Sequence, residues 1–288
     1  MRNVFVYTFS ILYALVVIVC LAVYWVFKSH ISADFGVVFV IIMAVALPIT
    51  YLLLRGSLLR ERNRPESKMH EEFRTEILTN GYTEKSLGLA DQVISEVKSG
   101  KKVNYVYLKD FVMYSADYQN QLKNYDKALE LLNLPDAKDV RDRSIRFIDR
   151  GISLLLYLNV RMDAVCGLRD AAEAQSIKNE AHEQFGNETA DPYITMLEMI
   201  DFEYQLLHEQ YDAAKETVGR MLANTSPFAK EYCGKYYAAA QLCMRLNKPE
   251  EAEEYMQKAW EQVKDKSAAL QQTYHMARTR FGMDEQAV

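Results

Sequence analysis

Residue types that carry out chemistry occur in this sequence, but their spacing matches no common catalytic or metal site. No histidine lies four residues from another, so no helix offers the two-histidine face that binds zinc. Cys166, Cys233 and Cys243 show no CxxC spacing, and no phosphate-binding GxxxxGK[ST] loop or GxSxG elbow occurs. We therefore expect no catalytic residue, no metal ligand and no cofactor, and we predict that the chain is not an enzyme.

The charged residues most suggestive of a function are three arginines. Arg143, Arg146 and Arg150 are spaced by three and four residues, which places them on one face of a helix. Such a basic face is suited to an acidic partner or to lipid head groups. The alternative is a face of internal salt bridges, because three aspartates of residues 139–149 are interleaved with the arginines.

Charge is distributed unevenly along the 288 residues. The 34 Lys and Arg against 39 Asp and Glu give a net charge of −5, which argues against a general nucleic-acid binder. Four cysteines are too few for a disulfide scaffold. Residues 1–64 carry +4 and residues 65–288 carry −9, which predicts two parts of different character.

The first part contains two long runs without a charged residue. Residues 4–27 and 35–54 would reach about 36 and 30 Å as helices, at a rise of about 1.5 Å per residue, against a hydrocarbon core of about 30 Å. Tyr24, Trp25 and Tyr51 lie near the ends of these runs, where aromatic rings favour a membrane interface. The sequence therefore predicts a two-helix transmembrane hairpin over residues 1–55, in contact with a lipid bilayer.

Basic residues predict the orientation of this hairpin. Arg55, Arg60, Arg62 and Arg64 follow the second run, and basic flanks remain on the cytoplasmic side. The expected protein is an integral membrane protein with a basic juxtamembrane linker at 56–68 and with its N-terminus and C-terminal domain both cytoplasmic. Three alternatives remain open: a cleaved signal peptide, a lipoprotein acceptor at Cys20, and a buried soluble helix in place of the second span.

The second part, residues 69–288, has helical periodicity and no convincing alternating strand. A short segment recurs in it, and its copies are anchored by Tyr125, Met162, Tyr211 and Pro249, at intervals of 37, 49 and 38 residues. A small residue follows most anchors, as in Ala128. This pattern predicts repeated pairs of helices in which the small residue lets the two helices approach closely.

The clearest copy reads Tyr236-x-x-Ala239-Ala240-x-x-Cys243, then Asn247-x-Pro249-x-x-Ala252-x-x-x-Met256-x-x-Ala259. It resembles the tetratricopeptide repeat, and the resemblance covers roughly residues 105–265, with a capping helix from Ser267 to about Phe281. The predicted fold class is therefore all-α: an N-terminal transmembrane helical hairpin followed by a tetratricopeptide-like α-α solenoid of antiparallel helix pairs. In the copy at Met162, Val165 takes the place of the small residue.

The resemblance also implies a binding groove lined by the exposed face of each first helix. The groove residues carried over to two copies are Tyr237, Gln241, Met244, Arg245, Asp110, Met113, Asp117, Asn120 and Gln121. The alternative is that these are ordinary solvated positions of a helix, since most exposed residues contribute little to binding.

We expect a membrane-anchored scaffold or adaptor that presents this surface to protein or peptide partners at the cytoplasmic face of a membrane. Tethering would raise the local concentration of a bound partner. The alternative is a structural or assembly subunit of a larger membrane complex in which the hairpin makes specific contacts. An all-helical enzyme is a third, less favoured hypothesis, and no nucleic-acid partner is expected.

Overall fold

The computed structural model of the chain describes residues 2–27, 35–62, 64–134 and 152–283. These residues form fourteen helices and no strand, which confirms the predicted all-α class. The helices are α1 (Arg2–Phe27), α2 (Phe35–Arg62), α3 (Pro65–Asn80), α4 (Glu84–Lys98), α5 (Tyr105–Gln121), α6 (Tyr125–Leu132), α7 (Ile152–Gly167), α8 (Ala171–Phe185), α9 (Tyr193–Leu207), α10 (Tyr211–Ala223), α11 (Pro227–Glu231), α12 (Gly234–Arg245), α13 (Pro249–Val263) and α14 (Ala268–Arg280).

The chain divides into two compact units, Met1–Lys68 and Met69–Val288. In the first unit α1 and α2 pack on each other, and the Tyr13 hydroxyl donates to the Met43 carbonyl at 3.2 Å. Tyr24, Ala46 and Thr50 are buried. Many large apolar side chains of both helices are nevertheless exposed, including Ile18 and Leu52.

The prediction of a transmembrane hairpin is wrong. Among the helices that the structure describes, none has the combination of length and apolar character that crossing a bilayer requires. The localisation as an integral membrane protein, which depended on spans at 4–27 and 35–54, is therefore wrong as well. The absence of charge in a helix does not by itself establish a membrane span. Part of the apolar surface of these two helices is used in packing α1 against α2.

Many helices of the second unit pack against the next helix in the chain. The pairs α5/α6, α7/α8, α9/α10 and α12/α13 each pack internally, and α4 packs on α5. The first helices of the pairs also contact one another in chain order, from α5 to α7, α9 and α12. They form one continuous layer, so residues at corresponding positions of these four helices lie side by side.

The four pairs share one turn. The second residue after each first helix has a positive φ of 56–62°, at Lys123, Arg169, Glu209 and Asn247. The following amide donates to the carbonyl five residues earlier, for example Asn124 N to Gln119 O at 2.8 Å. This is the Schellman motif, which satisfies the last carbonyls of the first helix before the second helix begins.

This turn corrects the predicted register of the second repeat. The segment around Met162, which was aligned with the other turns, lies inside α7, and Val165 is part of the same helix. The turn itself comes at Arg169, where Asp170 caps α8 by accepting from the Glu173 amide at 3.0 Å. The small residue is therefore not lost in this copy, because Ala174 occupies its position.

The fourth residue of each second helix is a fully buried alanine. Ala128, Ala174, Ala214 and Ala252 all have 0% exposure, and each amide donates to the residue that precedes the helix. In the last pair Ala239, Ala240 and Cys243 of α12 and Ala252, Met256 and Ala259 of α13 are buried, as their spacing predicts. Close approach of the paired helices depends on these small side chains.

The last helix, α14, packs on α13 and also contacts α5 near the start of the unit. Gln272 accepts a hydrogen bond from the Tyr82 amide at 2.6 Å, across 190 residues. Arg280, at the other end of α14, pairs with Asp163 of α7. A helix was predicted here, but it does more than cap the last pair, because it also contacts α5 and pairs with Asp163 of α7.

A candidate binding cavity at the ends of the inner helices

Four polar residues occupy the same position in four consecutive first helices. Asp117, Asp163, Glu203 and Gln241 each lie six residues before the positive-φ residue of their turn. Because the four helices are adjacent, these residues form a row across the layer, which we call the acidic row. The row contains three carboxyl groups and one amide.

Arg280 of α14 is inserted against the acidic row. One guanidinium nitrogen, Nη1, donates to Asp163 Oδ2 at 2.9 Å, and Nη2 donates to Asp163 Oδ1. Only 14% of the arginine side chain and 18% of the aspartate side chain are exposed. Arg280 also donates a hydrogen bond to the Tyr125 hydroxyl. This paired geometry is the strong, planar form of arginine–carboxylate recognition.

One arginine does not neutralise the whole row. Burial, and then the Asp163 carboxylate, raises the pKa of Glu203 to about 7, against the opposing effects of Arg280 and Arg245. Burial and Asp163 also raise the pKa of Asp117, although Gln121 and Tyr82 donate hydrogen bonds to it. The row therefore contains more carboxyl groups than its buried cation can hold ionised.

A cavity of about 640 Å³ lies beside Glu203 and Arg280. Its size is typical of sites that bind small molecules or short segments of chain. The cavity is located where α7, α9, α12 and α14 end, and it includes residues of three of the turns. Its lining comprises Lys123, Tyr125, Asp163, Cys166, Gly167, Arg169, Ala171, Glu203, Leu206, Leu207, Glu209, Tyr211, Gln241, Met244, Arg245, Arg280 and Phe281.

The cavity has a charged floor, a mainly basic mouth and a partly apolar wall. The floor holds the Asp163–Arg280 pair and Glu203. The mouth holds three exposed cations, Lys123, Arg169 and Arg245, and one exposed carboxylate, Glu209. Helix carboxyl ends carry partial negative charge, which adds to the preference of the floor for a cation. Burial raises the pKa of the Cys166 thiol, so it remains protonated and is a poor nucleophile.

Gly167 at the end of α7 lets the Tyr125 ring lie in the wall. A Cβ atom built on Gly167 would come within 2.4 Å of the ring carbon Cζ, closer than any real contact. The ring in turn places its hydroxyl on Arg280. A glycine is required here by close approach rather than by its backbone conformation.

The structure brings three of the predicted groove residues to the cavity. Gln241, Met244 and Arg245 line it, and Gln241 hydrogen-bonds to Glu203. Asp117 belongs to the acidic row, and Gln121 donates to it at 3.5 Å.

The other predicted groove residues have different surroundings. Asn120 is fully buried and its Nδ2 donates to the Val160 carbonyl at 2.8 Å, which joins α5 to α7. Asp110 lies 2.8 Å from His70 Nε2, and Met113 packs against the core. Tyr237 is half-buried in the layer of first helices. Arg143, Arg146 and Arg150 lie outside the described residues.

Sequence reasoning missed Asp163, Glu203 and Arg280. The misplaced register at Met162 hid Asp163, since the correct turn at Arg169 makes it the counterpart of Asp117 and Gln241. In the copy at Tyr211, Glu203 is found by the same rule, since it lies six residues before the turn residue Glu209. Arg280 gives no local signal, because its partner Asp163 is 117 residues away.

In the described parts of the chain, no group of three or more His, Cys, Asp or Glu side chains is arranged to hold a metal ion. Comparison of the chain with models of protein families, with curated proteins and with solved structures finds no match. The resemblance to the tetratricopeptide repeat is therefore not confirmed, and the anchor that was identified together with it is contradicted. The recurring turn and the buried alanines are features of this structure itself.

Proposed function

We propose that the chain is a protein-interaction scaffold in which the helix pairs of the second unit form a solenoid-like platform and the cavity beside Glu203 receives part of a partner. The observation that carries the proposal is a cavity with both charges and apolar surface, built by corresponding residues of successive helix pairs. Repeated helix pairs commonly present such surfaces to extended peptides or helices. We propose a binding role in preference to a catalytic one.

The mouth of the cavity offers a test that does not disturb the core. Arg169 is exposed at the mouth, and Lys127 is an exposed cation on α6 that does not line the cavity. Both substitutions, Arg169→Glu and Lys127→Glu, reverse one exposed charge, so neither should unfold the chain.

The experiment is quantitative affinity capture with the full chain and with these two variants, from lysates of cells that produce the protein. The proposal predicts a specific set of partners that is lost with Arg169→Glu and retained with Lys127→Glu. Partners that are insensitive to Arg169→Glu would contradict a role for the cavity, and the absence of any partner would contradict the scaffold.

A second candidate role is an assembly subunit whose first unit packs against another protein. The exposed apolar side chains of α1 and α2, such as Ile18 (60% exposed) and Leu52 (62% exposed), favour it. Large exposed apolar patches on a protein mark interaction sites. Ile18→Glu would then remove partners that Arg169→Glu leaves in place, which separates the two roles in the same capture experiment.

A further inference from the structure

The acidic row already holds one cationic side chain, and that side chain is supplied by the chain itself. Arg280 fits between Tyr125 and Asp163 with two hydrogen bonds to the carboxylate. It shows that this row accepts a long cationic side chain. Glu203, the next carboxyl group in the row, is not used in that pair.

The surroundings of Glu203 favour a second cation. The α9 carboxyl group faces the cavity between Asp163 on one side and Gln241, which donates to it, on the other. Two cations act on Glu203: Arg280, which is paired with Asp163, and Arg245, which is exposed at the mouth. The carboxyl ends of α7, α9 and α12 converge on the same space and add partial negative charge.

The mouth has the opposite preference. Lys123, Arg169 and Arg245 are exposed there, with Glu209 as the one carboxylate among the charged residues that line the mouth. Groups that remain at the mouth while a cation enters the cavity should therefore be mainly acidic.

We propose that the cavity binds a peptide segment of a partner through one lysine or arginine side chain, which enters the cavity and pairs with Glu203, while acidic residues on either side of it lie against Lys123, Arg169 and Arg245. This inference rests on the proposed scaffold function and specifies the chemistry of the partner. Tyr211, Leu207 and Met244 provide apolar wall for the aliphatic stem of the entering side chain.

The probe is a set of twenty peptides, acetyl-Glu-Glu-Gly-X-Gly-Glu-Glu-amide, in which X is each amino acid in turn, with a norleucine peptide as the uncharged match for lysine. Binding is measured by titration calorimetry with the full chain, with Glu203→Gln and with Glu198→Gln. Glu198 is a mostly buried carboxyl group of the same helix, paired with Arg220 and outside the cavity.

We expect the lysine and arginine peptides to bind at least tenfold more tightly than the norleucine peptide. Glu203→Gln should abolish that difference, and Glu198→Gln should preserve it. Equal binding of the lysine and norleucine peptides, a preference unaffected by Glu203→Gln, or no binding by any peptide would each overturn the inference. The scaffold proposal would survive these results if capture of partners still depended on Arg169.

Discussion

At the scale of single residues, the carboxyl groups of the acidic row are coupled in their protonation. Asp117, Asp163 and Glu203 come from three helices and share Arg280 as their buried cation. Their carboxyl groups therefore respond to one another, and a change in one alters the protonation of its neighbours.

Glu203 should make stability depend on pH. Its folded pKa of about 7 exceeds the ordinary glutamate value of 4.5, so the folded state binds the proton more tightly than the unfolded state does. The stabilisation from protonated Glu203 is complete below pH 4.5 and is lost as pH rises through about 7. Urea unfolding at several pH values should show the free energy of unfolding of the wild type falling relative to Glu203→Gln across this window. If the free energies of unfolding of the two proteins changed equally with pH, the raised pKa of Glu203 would be contradicted.

Loss of the Arg280–Asp163 pair should lower the free energy of unfolding strongly, because both side chains are mostly buried. Arg280→Leu leaves Asp163 unpaired beside Glu203, and we expect it to lower the free energy of unfolding by about 3 kcal/mol. Arg278→Leu is the matched control on the same helix, since its partner Glu253 is 53% exposed, and it should cost at most about 1 kcal/mol. The measurement is urea unfolding at pH 8, and similar losses for both variants would contradict the proposed role of α14.

At the scale of elements, the shared turn determines where each helix pair begins and ends. The positive-φ position is occupied by Lys123, Arg169, Glu209 and Asn247, so none of the four turns uses the glycine that this conformation favours. The turns are held instead by their hydrogen bonds and by the packing of the helices that they join.

A glycine at this position should therefore stabilise the chain. Lys123 has φ of 62°, a conformation that costs a residue with a side chain about 1 kcal/mol or more and that glycine adopts readily. Lys123→Gly should raise the free energy of unfolding by about 0.5–1 kcal/mol after its greater unfolded-state entropy is allowed for. Lys127→Gly, in the α6 helix four residues later, should lower it by about 1 kcal/mol. Thermal unfolding tests both variants. A change of stability in the same direction for both would contradict the positive φ at Lys123.

The buried alanines should tolerate no enlargement. Ala174 has no exposure where α8 packs on α7, whereas Ala172 on the same helix is exposed. Ala174→Leu should cost about 1–3 kcal/mol through overpacking, and Ala172→Leu should cost almost nothing. Denaturant midpoints of the two variants provide the comparison, and a well-tolerated Ala174→Leu would refute the corrected register of this repeat.

At the scale of the whole molecule, the sequence predicts what depends on local periodicity. The all-α class and the buried stripe of Ala239, Ala240 and Cys243 follow from spacings of three and four residues. The helix at α14 also follows from its pattern, but its contacts do not, because Gln272 and Arg280 meet partners 190 and 117 residues away. Tertiary pairing over such distances leaves no trace in a short window of sequence.

Two predictions failed, the turn at Met162 and the membrane spans, because each rested on a sequence pattern that more than one structure can produce. A segment of aspartate and alanine inside α7 resembles the start of a second helix, and only the turn hydrogen bonds distinguish Met162 from Arg169. The uncharged runs in α1 and α2 suggested membrane spans from their length and lack of charge, and no described helix meets the requirement for one.

The most direct test of the scaffold is to locate a partner on the surface. A photo-crosslinking amino acid is placed at Arg245, exposed at the mouth of the cavity, and separately at Glu254, exposed on α13 away from it. After irradiation in cells that produce the protein, mass spectrometry identifies the crosslinked peptides. We predict that position 245 captures a defined segment of a partner and position 254 does not. Equal capture at both positions, or capture at 254 alone, would contradict the account.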